Sequence, residues 1–304
     1  MVLRFKQPPY QVVGSKWQWG AIFEDFKEEF ESYDTIYDMF GGACWISYWL
    51  QENTKHPRIV CNDYDRYLEA ITEQRMIDLM NDRFLTALDI YESCDFTDEE
   101  LSAWKAPEGR VLPPIGRKRD NTWRHRDEFT AIKELVASLP TRATKSLVWS
   151  RFWCGSAPAP NSLNYPRPSK CVPFKRIEGY IDRDRVKVIE STRAEDVSYA
   201  ASDSKYRTLI IADPPFSAVQ KASQYYDGDM NSDCSKGSPA QDLYNLWHND
   251  ADLIIFSDLE QFEGMPEPSQ IWIRETNNKP FGSAKYHHPV ANRLQGAYIY
   301  QHKE

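Results

Sequence analysis

The pattern of apolar and polar positions switches between the helical period and short strand-like runs along the first quarter of the chain. "AIFEDFKEEFESY" places Ile22, Phe23, Phe26 and Phe30 at helical spacing, with acids on the other face. "DTIYDMF" predicts a short strand ending at Asp38, "CWISYWLQEN" a helix, and "RIVCND" a second strand ending in acids. "YLEAITEQRMIDLMNDRFLTALDIY" then keeps a helical period over several turns. Strand, helix, strand, helix is the signature of an α/β domain with a largely parallel sheet.

The middle of the chain differs. From Pro107 to Pro173 the periodicity weakens, prolines cluster in "RVLPPIG" and "SAPAPNSLNYPRPSKCVP", and arginines alternate with tryptophans. A single helix, "DEFTAIKELVASL", is expected inside it. The α/β pattern resumes with strands at "RVKVIES", "TLIIADPPF", "DADLIIFSDLE", "SQIWIRE" and "GAYIYQHK". The expected plan is one domain built from residues 1–92 and 180–304, holding an inserted, loop-rich module at 93–179.

Charge sharpens this division. The chain of 304 residues carries a net charge of −8, yet Ala103 to Lys187 holds 18 Lys and Arg against 8 Asp and Glu. That stretch is +10, which leaves −18 for the remainder of the −8 total. A basic surface in an acidic body points to a phosphate-bearing partner. Cysteines at 44, 61, 94, 154, 171 and 234 form no C-x-x-C pair, so neither a zinc motif nor a disulfide framework is expected. No signal peptide or membrane-length apolar run is read, which makes the cytoplasm the expected location.

Three strand ends carry candidate chemistry. In "YDMFGGACW" an acid, two glycines and a helix start succeed one another, the order found where a backbone turn approaches a nucleotide-type ligand. "IVCND" ends in Asp63, placed to receive ribose hydroxyls. Each signal alone is also that of an ordinary turn or helix cap.

"YRTLIIADPPFSA" is rarer, since D-P-P-aromatic arises about once in a hundred thousand positions from ordinary residue usage. Pro214 and Pro215 cannot continue a central strand, because neither donates to a ladder, but they fix the backbone. Asp213 and the Pro214 carbonyl then form two aimed acceptors beside Phe216, a flat stacking surface. A planar base with an exocyclic amino group fits such a notch, and no metal is required.

"GSKW", "DMFGGAC", "CND" and "ADPPF", in that order, resemble the Dam-type, alpha-group adenine-specific DNA methyltransferases. The resemblance covers the motifs and plan of nearly the whole chain but not the sequence of the middle module. It implies a Rossmann-like S-adenosylmethionine-dependent methyltransferase sheet with an inserted target-recognition domain, acting on double-stranded DNA. Carried over, it implies that Lys16 faces the cofactor carboxylate and that the backbone from Val12 to Ser15 closes the pocket. Asp38, Phe40 and Gly42 would form the cofactor floor, and Asp63 would hold the ribose. Asp213, Pro214, Pro215 and Phe216 would grip the flipped adenine, with Asp213 also near the cofactor amino group.

The middle module supplies the expected DNA contacts. These are Arg117, Lys118, Arg119, Trp123, Arg124 and Arg126 in "GRKRDNTWRHR", then Arg142, Lys145 and Arg151 in "TRATKSLVWSRFW". Two positions depart from the family pattern: Cys44 stands where the last motif glycine is expected, and Glu190 or Thr192 stands where an acid usually contacts the cofactor adenine. Two other readings stay open at this point. One is an amino-methyltransferase acting on cytosine N4 in DNA, or on RNA; the other is a non-catalytic DNA-binding protein on the same fold.

Overall fold

The computed structural model describes residues 4–10, 16–106, 110–117, 121–152, 162–214, 239–258, 265–275 and 294–302. A 3-10 turn at Lys16–Trp19 leads into α1 (Gly20–Asp25) and α2 (Lys27–Phe30), followed by β1 (Thr35–Asp38), α3 (Trp45–Asn53) and β2 (Arg58–Asp63). Next come α4 (Tyr67–Thr72), α5 (Gln74–Glu92), α6 (Asp98–Ala103), β3 (Ile115–Arg117) and β4 (Trp123–Arg124). Then α7 (Arg126–Ala137), α8 (Arg142–Trp149), β5 (Ser162–Leu163), β6 (Val186–Glu190) and β7 (Thr208–Ala212) follow. The chain continues through α9 (Pro239–Trp247), β8 (Asp252–Asp258), β9 (Gln270–Glu275) and β10 (Leu294–Tyr300).

Two compact units divide it. The first comprises Met1–Pro9, Gly14–Asp65 and Gly179–Glu304; the second comprises Tyr10–Val13 and Arg66–Glu178.

The first unit is built on a seven-stranded sheet in the order β6-β2-β1-β7-β8-β10-β9. The pairs from β6 to β8 are parallel, and β10 runs antiparallel to both β8 and β9. All four residues of β1 and all five of β7 are buried, as expected for strands covered on both faces. Alternation along the strands then sorts the apolar residues between the two faces. Tyr37, Val60, Ile210, Ala212, Leu253 and Ile255 point to one side and pack with Leu243 and Trp247 of α9. On the other side Phe256 meets Trp19 and Phe23, and Phe23 and Phe30 pack on Trp49 of α3. The sheet is therefore flanked by helices, an α/β layout compatible with a Rossmann-like fold.

Strand order reverses between β1 and β7. From β1 the chain steps outward to β2 and β6; from β7 it steps the other way to β8. In open α/β sheets the crevice beyond the carboxyl ends of the strands at such a reversal is where ligands bind.

The second unit contains more regular structure than its sequence suggests. The long helical pattern expected over 67–91 is broken at Glu73, which is extended (φ −85°, ψ 120°), giving α4 and α5. The first predicted helix is likewise split, into α1 and α2 at Phe26. Helix α5 buries Met76, Met80, Phe84, Ala87 and Tyr91 and packs against α7 and α8, which pulls it into the second unit. The expected boundary at residue 93 accordingly moves to 66. Besides α7, two unexpected helices form where threonine capping boxes start them: Thr97 with Glu100 begins α6, and Thr141 with Thr144 begins α8. A three-stranded sheet, β4-β3-β5, completes the unit. The buried Tyr91 hydroxyl ties it down by donating to the Pro113 carbonyl at 2.7 Å, with the Leu163 carbonyl 3.1 Å away.

Candidate active site

The parallel register sets the site. Asp38, the last residue of β1, lies opposite Ile211 of β7, so Asp213 emerges just beyond it at the reversal of strand order. Met39 N donates to the Ile211 carbonyl at 3.0 Å, holding the two strand ends together past the last strand residue. The acid of "DMF" and the acid of "ADPPF", far apart in sequence, thus stand at neighbouring strand ends.

Lys16 enters the same place from the N-terminal 3-10 turn. Its Nζ lies 2.6 Å from both Asp213 oxygens and 5.5 Å from the centroid of the Phe256 ring. The lysine side chain is 6% exposed and the aspartate 14%, so the pair is largely withdrawn from water. Trp19, three residues on, packs edge-on against Phe256 and anchors the turn. Burial raises the Asp213 carboxyl above its ordinary range, and the Lys16 charge and hydrogen bond oppose that rise.

Asp38 is buried at 1% exposure. Ser47 Oγ of α3 donates to its Oδ2 at 2.8 Å, while Oδ1 has no hydrogen-bond partner among the described residues. Burial pushes the Asp38 carboxyl up to about 7; the Ser47 hydrogen bond opposes the shift and the Asp213 charge adds to it.

The glycine turn after β1 is dictated by close packing. A Cβ on Gly41 would stand 2.8 Å from both the Asn62 carbonyl oxygen and the Cys61 sulfur, and Gly42 has φ +51°. Cys44, at the helix start where a glycine is expected by resemblance, is left-handed as well, with φ 52°. The turn therefore accommodates the thiol in a glycine-like conformation, wholly buried beside Cys61.

Asn62 is a residue that sequence reasoning misses. Its Nδ2 donates to the Met39 carbonyl at 3.1 Å and to the Thr192 carbonyl at 3.0 Å, which joins the ends of β1, β2 and β6. Its neighbouring acid in "CND" is the only signal there. Asp63 sits fully buried at the tip of β2, opposite Glu190 in β6. Glu190 itself is exposed and pairs with Arg183 at 3.3 Å. Phe40 is partly buried against the core, and Pro214 is buried. Val12, Ser15, Pro215 and Phe216 lie outside the described residues.

In the second unit the expected DNA-contacting residues separate into two groups. Arg117 and Arg126 are exposed, Trp123 is 38% exposed, and the Arg126 guanidinium lies 5.3 Å from the Trp123 ring centroid. Arg124 and Arg151 are engaged internally. Arg124 Nε pairs with Glu100 Oε1 at 2.8 Å; Arg151 donates to the Lys170 carbonyl and lies 4.1 Å from the Phe174 ring centroid. Arg142 and Lys145 are half-buried on α8, while Lys118 and Arg119 lie outside the described residues.

Scanned against protein-family models and searched against curated proteins, the chain matches neither a family nor a curated sequence. Among the described residues no helix is long and apolar enough to cross a membrane.

Proposed function

We propose that the chain transfers a methyl group from S-adenosylmethionine to the exocyclic N6 amine of adenine in double-stranded DNA. One observation carries this reading: Asp38 and Asp213 flank the strand-order reversal, with Lys16 bound to Asp213. The reversed strand β10, between β8 and β9, also agrees with the late, partly antiparallel strands of the family that the motifs resemble.

The residues fit the cofactor. Asp38, Asp63 and Asp213 bring three buried or nearly buried carboxyl groups to these strand ends, acceptors suited to the ammonium and hydroxyl donors of such a ligand. Asp38 Oδ1 is a buried acceptor without a donor among the described residues, suited to an N–H or O–H of a ligand. When bound, S-adenosylmethionine supplies an electrophilic methyl carbon on its sulfonium.

The chain's own groups do the rest. Lys16 is placed to move from Asp213 to the cofactor carboxylate, leaving Asp213 as an acceptor for one N–H of the target amine. From the D-P-P-F sequence, the Pro214 carbonyl takes the other N–H and Phe216 stacks on the base. Holding both hydrogens aside turns the nitrogen lone pair toward the methyl carbon, and alignment of this kind contributes several kcal/mol, roughly, to rate. The raised proton affinity of Asp213 suits it to take the proton lost after transfer. A base inside a duplex is out of reach, so it must rotate out, at a cost of about a few kcal/mol. The second unit, with Arg117, Trp123 and Arg126 exposed, is assigned to gripping the duplex.

The test is incubation with labelled S-adenosylmethionine and unmodified DNA or RNA, followed by digestion to nucleosides. Labelled N6-methyladenine from DNA supports the proposal. Label in methylcytosine or in RNA moves the substrate, and DNA binding without transfer overturns the catalytic reading.

A further inference from the structure

Within the second unit, Cys94, His125 and Glu128 each offer a ligand atom, and these atoms lie within 4.8 Å of one another. They come from separate places in the unit. Cys94 follows the end of α5, His125 is the N-cap of α7, and Glu128 sits in the first turn of α7. Cys94 is buried at 7% exposure, and the His125 side chain is 13% exposed.

We propose that Cys94, His125 and Glu128 bind a zinc ion that staples the end of α5 to the start of α7, with water as the fourth ligand.

The donor set selects the metal. A thiolate disfavours magnesium and calcium, a carboxylate disfavours copper(I), and imidazole with thiolate and carboxylate in a four-coordinate site suits zinc. Bonds of roughly 2.0 to 2.3 Å set tetrahedral donors about 3.3 to 3.8 Å apart, so the side chains need close by only about an ångström. Binding takes the thiol proton, which Cys94 now donates to the Ile90 carbonyl at 3.7 Å, and releases it to solvent.

An outer partner is already in place. His125 Nε2 lies 3.6 Å from Glu100 Oε2, close enough for that carboxylate to become the outer partner of a metal-bound imidazole. The Phe96 ring, edge-on at 4.6 Å from the imidazole centroid, limits rotation of the ring on one side. The N-cap of α7 makes no side-chain capping bond, and His125 holds a left-handed conformation (φ 49°). A histidine is a poor cap there, and a metal ligand has reason to be one. In sequence the site reads as Cys94 followed distantly by H-x-x-E, a spacing without the C-x-x-C pair that flags zinc.

The proposal is independent of methyl transfer, and its test reads metal rather than activity. The full-length chain, stripped with a chelator and dialysed against zinc, is expected to retain about one equivalent. Its thermal midpoint should rise with added zinc, because a ligand that binds only the native state stabilises it. Cobalt(II) in place of zinc should give a thiolate charge-transfer band that is lost in Cys94→Ser. His125→Gln and Glu128→Gln, both at half-buried positions, should weaken zinc about tenfold or more, and Glu100→Gln, which keeps the α6 capping box, about tenfold. Failure to retain zinc overturns the proposal. So does retention that is undiminished in His125→Gln and Glu128→Gln, which would place the ion on other histidines. Neither measurement requires Cys94→Ser to fold.

Discussion

Lys16 Nζ sits 2.6 Å from each carboxylate oxygen of Asp213, so the acceptor proposed for the target amine is held by a buried cation from the N-terminal turn. Removing one member of such a pair strands the other charge away from water, at a cost of about 3 to 5 kcal/mol. Lys16→Met and Asp213→Ala should each lower the urea midpoint, while the double substitution should cost clearly less than the sum. A double-mutant cycle with no coupling would show that the pair does not hold the N-terminal turn to the end of β7. Asp213→Asn should fold better than Asp213→Ala and keep more transfer, since the amide oxygen still accepts an N–H of the target amine.

Asp38 gives a pH signature. Its folded-state carboxyl is raised to about 7 from an ordinary 3.8, so between these values the native chain binds a proton that the unfolded chain lacks. Its contribution to stability is therefore most favourable below about pH 4 and is lost as pH rises toward 7. Asp38→Asn should stabilise the cofactor-free chain at pH 8 relative to the parent, by an amount that shrinks toward pH 4. Thermal melts across this range check it; a difference independent of pH would contradict the assignment.

The turn after β1 predicts an asymmetry between two small substitutions. Gly41→Ala drives a methyl into the Asn62 carbonyl and Cys61 sulfur at 2.8 Å, and backbone displacement there should cost about 2 kcal/mol or more and weaken cofactor binding. Cys44→Gly loses buried sulfur but relieves a left-handed conformation worth about 1 to 2 kcal/mol, so it should be close to neutral. Urea denaturation compares the two.

Arg126 presents a surface that can be changed without touching the core, whereas Trp123 is partly exposed and also packs on buried Phe129 at 5.6 Å. Arg126→Ala should reduce the slope of log affinity for duplex DNA against log salt by about 1. Trp123→Ala should weaken DNA binding and leave S-adenosylmethionine affinity unchanged. Arg151→Ala, in contrast, should destabilise the second unit, because its guanidinium packs against Phe174.

Much of the sheet is readable from local pattern. "RIVCND" is β2 residue for residue, and the acids expected at strand ends, Asp38 and Asp63, are there. The second unit is less readable. Its helices α6 and α8 are short, started by threonine caps and stabilised by packing, so their periodicity is weak over the proline-rich surroundings. Helix α5 carries a clear period, but nothing in that period says which unit its apolar face will join.

The sequence by itself determined the local chemistry: the D-P-P-F run after β7, the glycine turn after β1 and the basic bias of the middle third. These are properties of a few adjacent residues, set by backbone sterics and side-chain type. Only the tertiary structure decided that Asp38, Asp213 and Lys16 converge, that Asn62 clamps three strand ends, and that Arg151 is enclosed while Arg126 is exposed. Such proximities follow from strand order and from which faces bury, and both are settled by the packing of the whole chain rather than by any segment of it.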